Sequence, residues 1–276
     1  MVTIKQAASL TGLPEHTLRA WERRYALIRP VRTASGYRLY DEAALTRVRL
    51  MKDLVDSGLR PRQAAQEALR RNPDAGPEHG ATTLLAAAAD LDADSVAAVL
   101  DEEFSRDTFE AVVDNWLMPA LAGLGRAWAR GEVSVAGEHL VSSMVMRRLA
   151  GAYEASGRPE PGPPVLVGAP PGVEHELGLL AFATAARRRG VPIVYLGAQV
   201  PAESWRLAAT TLGARAAVTS LHVRRDASRL VAMGSELSKV PGLELWVGGR
   251  HQDLAPAPFR PLGHSIADAA TRLAAG

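Results

Sequence analysis

The sequence predicts a multidomain α and α/β protein: an N-terminal winged helix-turn-helix, a central four-helix bundle and a C-terminal doubly wound parallel sheet. Three observations carry this. Residues 1–71 hold 14 Lys/Arg against 7 Asp/Glu, a net +7 in a chain of net +2, which leaves −5 for the rest. A basic head on an acidic body is the footprint of a nucleic-acid-binding domain joined to something else. Pro/Gly-rich segments at 71–77 and 158–164 divide the 276 residues into three. Apolar residues follow a helical period before the second segment and fall into short runs alternating with helical patterns after it. The expected domains are 1–71, 80–157 and 163–276.

In the head, Thr3 with Gln6 reads as a capping box that opens a helix through Leu10. Thr11-Gly12-Leu13 is the turn, and Pro14 suits the first turn of a second helix running to about Tyr25. Ser35-Gly36, between short extended pieces near Arg32 and Arg38–Tyr40, reads as a hairpin wing. Asp41 is placed to cap a helix with Leu45, Val48, Leu50, Met51 and Leu54 as its stripe, ended by Gly58. A last helix covers 61–70. Beyond the first linker, four helices are expected at about 82–91, 94–104, 107–129 and 134–155, the third kinked at Pro119. Strands are expected at 165–168, 193–197, 216–221 and 243–248, alternating with helices at about 176–189, 202–212 and 225–238. Alternation of this kind implies a parallel sheet, whose ligands bind at the carboxyl ends of the strands. His175, Thr219 to Leu221 and Gly248-Gly249 all fall on that rim.

Several function classes are excluded. The chain has no cysteine, so disulfides, thiolate metal sites and thioether-linked chromophores are ruled out. A reducing cytoplasm fits this composition. The N-terminus lacks an apolar signal core, and no run approaches the ~20 apolar residues of a membrane span. No nucleophile–base arrangement, Walker loop or hydrolytic carboxylate pair is visible, so a non-enzyme is expected. The acidic groups Asp101-Glu102-Glu103 and Asp90, Asp92, Asp94 read as solvated helix faces.

Arg19, Arg23 and Arg24 share the second helix, with Arg32 and Arg38 on the wing. Arginines so spaced can grip phosphates while the helix enters the major groove of double-stranded DNA. His16, Thr17 and Arg19 are the candidates for base edges, and Tyr37 and Tyr40 for phosphate oxygens. Trp21 reads as core. Leu18-Arg19-Ala20-Trp21-Glu22-Arg23-Arg24-Tyr25 and Arg32 to Tyr40 resemble the MerR family of transcription regulators. That resemblance implies paired heads on a palindromic operator, and assembly through the later domains because the 72–77 linker interrupts any long coiled coil.

A lone His175-x-x-Gly178 is weak, but Pro170-Pro171-Gly172 holds its loop open after a strand, and Gly178 permits close backbone approach. The imidazole can then reach a metal in a ligand above the sheet. Trp128 stands nine intervening residues before Glu138-His139. On residues alone two readings stand for these three: core and surface, or a flat ring and two hydrogen-bonding groups facing one cavity. His222, just past the third strand, is expected to be solvent-exposed, at the rim at most.

Together these residues resemble the cobalamin-binding module of light- and B12-responsive MerR-type regulators, the CarH/LitR group. The downstream sheet resembles the B12-binding domain of methionine synthase and mutases. The pattern there is an acid, any residue, His, two residues, Gly, then Ser/Thr-x-Leu, then Gly-Gly. The resemblance implies His175 as lower ligand to the cobalt of adenosylcobalamin. Thr219, Leu221, Gly248 and Gly249 would line the slot for the displaced nucleotide tail, and Trp128, Glu138 and His139 would cap the upper face. It further implies a repressor of photoprotective genes, oligomeric (dimer or tetramer) with the cofactor in the dark and released from DNA by light. Two positions depart from the pattern. Val173 stands where the acid belongs, with Glu174 one position off. Ala129 follows the Trp where light-sensing relatives can carry a His. Two rivals follow: a MerR-type regulator of another ligand, and a corrinoid methyl carrier, against which the basic head argues.

Overall fold

The computed structural model describes residues 2–25, 31–32, 38–40, 42–70, 77–157 and 161–275. Some side chains within these spans, Arg23 and Arg32 among them, lie outside the description. The chain divides into two units, Met1–His79 and Gly80–Gly276.

In the first unit, β1 (Val2–Thr3) leads directly into α1 (Ile4–Thr11). The Thr3 side chain accepts from the Gln6 amide and the Gln6 side chain returns to the Thr3 amide, so the expected capping box is present. Gly12 closes α1 at φ +67, a left-handed conformation that costs glycine least. Helix α2 (Glu15–Tyr25) follows. The wing comprises β2 (Val31–Arg32) and β3 (Arg38–Tyr40), antiparallel, with Val31 opposite Leu39. β1 pairs on the other edge of β3, so the order is β1-β3-β2. The Ser35-Gly36 turn and the Asp41 cap lie outside the described residues. Helices α3 (Glu42–Asp56) and α4 (Pro61–Arg70) complete the unit. Leu18, Trp21, Tyr40, Leu45, Val48 and Met51 form its core.

In the second unit the helices are α5 (Pro77–Asp90), α6 (Ala93–Arg106), α7 (Phe109–Val112), α8 (Met118–Ala129) and α9 (Val135–Ala155). Between α7 and α8 the chain makes a π-helical turn, Val113–Leu117. The expected single helix at 107–129 is therefore interrupted by an extra residue per turn ahead of Pro119. The acidic segments are not merely solvated faces. Asp92 caps α6 by accepting from the Ser95 amide, and Glu103 is buried, with Arg106 Nη1 2.7 Å from its Oε1. Burial raises the pKa of Glu103, and the neighbouring Arg106 only partly opposes it.

The sheet contains β4 (Val165–Gly168), β5 (Ile193–Gly197), β6 (Ala216–Ser220), β7 (Glu244–Gly248) and β8 (Arg260–Pro261). All pairs are parallel, in the order β5-β4-β6-β7-β8. Helices α10 (Leu177–Arg188), α11 (Ala202–Leu212) and α12 (Ala227–Leu237) are those expected, α11 with the expected bounds and the other two trimmed at their ends. β8 and α13 (Ile266–Ala274) were not expected. The order in which the chain adds strands reverses between β4 and β6. That switch point opens a crevice at the carboxyl ends of these two strands, where doubly wound sheets hold ligands.

Bundle and sheet share one core. Leu179 to Ala186 of α10 are buried without interruption, because that helix is enclosed between the sheet, α9 and α13. Polar ties reinforce the junction. Glu110 pairs with Arg188 at 3.0 Å and Arg189 at 3.3 Å. The π turn aims Asp114 at the start of α13, where its carboxylate accepts from the amides of Ile266 and Ala267 and from Ser265 Oγ. A carboxylate at a helix N-terminus satisfies otherwise orphan donors.

Candidate nucleic-acid interface and cofactor site

On α2, Leu18 and Trp21 turn inward, as the amphipathic pattern requires. His16, Arg19 and Arg24 are exposed and Thr17 is half-buried. Arg19 lies 3.5 Å from Glu15 one turn earlier, an exposed pair of little energetic weight that leaves the guanidinium able to move to a phosphate. Arg38 is more committed. Its Nε donates to Glu22 Oε1 at 3.2 Å, which ties the wing to α2. Tyr40 corrects its expectation as a phosphate contact. Its ring is 1% exposed inside the head's core, because residue 40 is paired with Val2 and packs inward. Burial, then the charge of Glu22, raises its pKa. The side chains of Arg23 and Arg32, and all of Tyr37, lie outside the described residues.

The second site is built around the switch point. After β4 the chain turns through Pro170–Val173, the Val173 amide donating to Pro170 O at 3.1 Å. Gly172 sits at φ +69, and a Cβ there would collide with the guanidinium of Arg229. That guanidinium spans two loops, donating from Nη1 to Pro171 O at 2.6 Å and from Nε to Asp226 Oδ1 at 3.1 Å. His175 follows on the rim, exposed. Val173 is buried, so an apolar side chain fills the position expected to carry an acid. Glu174 does not replace it: its Oε1 accepts from Gln199 Nε2 at 3.2 Å. Glu176 accepts from the Tyr195 hydroxyl at 2.9 Å, which together with burial pushes the pKa of that phenol up.

Across the crevice β6 ends at Ser220. Thr219 is fully buried, and its hydroxyl has no hydrogen-bond partner among the described residues. Leu221 lies in the core, and its backbone is engaged on both sides. Its N–H donates to Gly248 O and its carbonyl accepts from the His251 amide, both at 2.9 Å. Gly249 adopts φ +92, and a Cβ on it would stand 2.9 Å from Leu221 O. A Cβ on Gly248 would meet nothing within 4 Å. One glycine thus permits close strand approach and the other keeps space open. Gly178 opens α10 beneath Met118, whose sulfur would make ordinary contact with a Cβ there. It therefore allows approach without requiring glycine.

His222 stands against this rim. Its ring stacks on His175 with centroids 4.9 Å apart and planes 29° from parallel. It keeps solvent contact, as expected, but its surroundings exclude enough water to lower its pKa, with His175, Arg250 and His251 adding to the effect. The residue looked incidental because the partner ring lies 47 positions away in sequence and arrives only through the topology.

In the bundle, the chain reverses between α8 and α9 in five residues, with Ser134 capping α9 through the Gly137 amide. The turn brings the end of α8 and the start of α9 together. Trp128 is 50% exposed and Val135 57%, which removes the core reading of Trp128. Val135 is a second exposed apolar residue that sequence reading missed; it lies one turn before Glu138 and His139. Glu138 accepts from Ser142 Oγ at 2.6 Å and lies 2.8 Å from Nδ1 of the exposed His139. Gly137 lets α9 approach α5, since a Cβ there would collide with Ala88 O.

The parts suit a cobalamin. An exposed imidazole stands at the mouth, an unpaired buried hydroxyl and open glycine lie below, and an exposed indole sits on the bundle. Among the described residues no three His, Asp or Glu gather as a metal site. Any cobalt contact here would come from a single imidazole meeting a metal that the ligand carries. A separate hollow lined by Glu110, Asp114, Arg189 and His264 shares none of these residues, and its charged groups are occupied in joining bundle to sheet.

Residues 2–70 match the family described as "MerR HTH family regulatory protein", and residues 81–151 the "B12 binding domain". The HTH-type transcriptional repressor CarH of Myxococcus xanthus is 35% identical over 266 residues, covering 89% of this chain and 88% of its own. The HTH-type transcriptional repressor CarA of the same organism is 34% identical over 203 residues, covering 72% and 69%. A monomethylamine corrinoid protein of Methanosarcina barkeri aligns with a TM-score of 0.51 at 12% identity, covering 71% of this chain and 96% of its own. At that identity the likeness is one of fold.

Proposed function

Because this chain belongs to the family of MerR-type transcriptional repressors that carry a B12-binding domain, we propose that it is a light-responsive repressor with adenosylcobalamin as its cofactor and an operator in double-stranded DNA as its target. Residues 1–71 bind DNA, 80–157 cover the cofactor's upper face, and 163–276 hold its lower face and tail. The observation that carries this is an exposed His175 and a buried Thr219 hydroxyl without a partner among the described residues, each following or ending a strand that flanks the switch point.

Each residue then has a task. His175 would ligate cobalt, and Thr219 would give its hydroxyl to the nucleotide tail, while Gly248 and Gly249 leave room for it. Trp128 and Val135 would cover the upper ligand, with Glu138 and His139 hydrogen-bonding to it. The bound cofactor supplies a cobalt–carbon bond that visible light breaks. With nothing over them Trp128 and Val135 face water, 50% and 57% exposed, so covering them is what would favour the cofactor-bound arrangement of the bundle. If the oligomer binds the cofactor better than its separated subunits do, cofactor favours assembly, and assembly multiplies DNA affinity through avidity. The protein acts in the cytoplasm, where its DNA lies. Among the described residues no helix is long and apolar enough to cross a membrane.

A second reading is a B12 sensor without a light switch. Ala129 favours it, since no imidazole directly follows Trp128 to take the upper cobalt position. Absorption spectra and elution volumes of the protein with adenosylcobalamin, in the dark and after green light, separate the two. A bound spectrum with a dark oligomer that shrinks on illumination supports the proposal. Bound cobalamin at constant size supports the second reading. No bound cobalamin contradicts both.

A further inference from the structure

The orientation of His175 needs an explanation, because a ligating imidazole is ordinarily fixed by a hydrogen bond at its second nitrogen, most often from a carboxylate or carbonyl. Here position 173 is a buried valine, Glu174 is engaged by Gln199, and Glu176 is engaged by Tyr195. Among the described residues the His175 ring has no hydrogen-bond partner. The ring stacked against it is His222.

Resting on the cobalamin reading above, we propose that His222 is a positioning residue for the cobalt ligand: by stacking on His175 it fixes the plane in which that imidazole meets the corrin, a task that a carboxylate at 173 would otherwise perform.

Three features support this. The rings are stacked, 4.9 Å and 29°, so the contact restricts rotation of the His175 ring about its Cβ–Cγ bond. The backbone that carries His222 is fixed. His222 follows Leu221, whose side chain is buried and whose N–H and carbonyl are bonded to Gly248 and His251. The loops bearing the two histidines are also joined, since Arg229 bonds to Pro171 on one side and Asp226 on the other. The two backbones that bring the rings together are therefore set by the switch point and its cross-loop tie.

The geometry also separates positioning from ligation. An imidazole lone pair lies in the ring plane. Two stacked rings lie in separate planes, here 4.9 Å apart at their centroids, so their lone pairs do not share one plane. One ring can meet the cobalt while the other braces it.

The test uses the full-length protein with its histidine nitrogens isotopically labelled, loaded with cob(II)alamin. The EPR splitting reads whether the axial nitrogen belongs to the protein or to the cofactor's own base. Wild type should show the labelled splitting and His175→Ala should lose it. His222→Ala should bind cob(II)alamin about 10–100-fold more weakly, the range for loss of an orienting partner, with a broadened splitting from an unfixed ring. His222→Phe keeps a flat ring and should restore both affinity and sharp splitting. It also stands in should the Ala variant fail to fold. Unchanged affinity and splitting in His222→Ala would overturn the proposal while leaving cobalamin binding intact. So would labelled splitting that survives in His175→Ala but vanishes in His222→Ala, which would make His222 the ligand. Wild type that binds no cobalamin would overturn the cobalamin reading itself.

Discussion

A buried hydroxyl without a partner is costly, and Thr219 carries one. Desolvation of such a group costs about 1–3 kcal/mol. Thr219→Val keeps the shape and removes the cost. The ligand-free protein should then be equally or more stable, while cobalamin affinity falls about 5–10-fold, the worth of one hydrogen bond. Thermal melting and a cobalamin titration of the same variant check both directions; a rise in affinity would place the tail elsewhere. Glu103 gives a pH-dependent counterpart. Its folded pKa is raised by burial, so protonation is favoured in the folded state. The associated stability is present at acid pH and lost as pH rises through the folded pKa. Glu103→Gln mimics the protonated form. It should match or exceed wild-type Tm at pH 8, the difference closing as pH falls through the carboxylate range. A less stable Gln variant at pH 8 would mean that the Arg106 pair outweighs the burial cost. At this scale residue types were legible but environments were not. Composition cannot tell that Tyr40 turns inward while Arg19 stays exposed, nor that one of three consecutive acids, Glu103, is buried.

Long periodic elements were read well because an amphipathic stripe repeats over several turns. Of what escaped, α13 is a nine-residue helix whose period was there to be read, whereas the strands that escaped were too short to show one. β1 and β8 have two residues each and exist only because a neighbouring strand offers an edge. The π turn at 113–117 was hidden for another reason: it adds a residue without changing which residues are apolar. Glycines test whether the elements meet as described. Gly137→Ala should destabilise by about 1–3 kcal/mol despite the better helix propensity of alanine, because the added Cβ meets backbone of α5 rather than a movable side chain. An unchanged Tm would show that α9 and α5 have slack. Gly172→Ala should act differently. Its obstacle is the end of Arg229, which can move, so stability should change little beyond about 1 kcal/mol of left-handed strain. Cobalamin affinity should nevertheless drop, as the His175 loop loses its tie to the His222 loop.

At the scale of the whole chain, charge is partitioned with function: +7 in residues 1–71 and −5 beyond. That partition was fully legible, because charge needs no fold to be counted. It predicts DNA binding that weakens steeply with salt, as counterions compete for phosphate contacts. Arg19→Ala should lower the salt slope by about 1 for each phosphate contact removed, measured by fluorescence anisotropy across a salt series. What sequence could not supply was the coupling, because two stacked imidazoles from loops far apart in the chain become a unit only after the sheet is wound. The central claim is that a cobalamin held at His175 decides whether the basic head stays on DNA. The measurement that tests it most directly is binding to an operator which the protein itself selects from a random DNA pool, with saturating adenosylcobalamin in the dark and again after green light. The account predicts tight binding in the dark, loss on illumination, and weak binding throughout in His175→Ala. Affinity that is the same with and without cobalamin, in dark and in light, would contradict it.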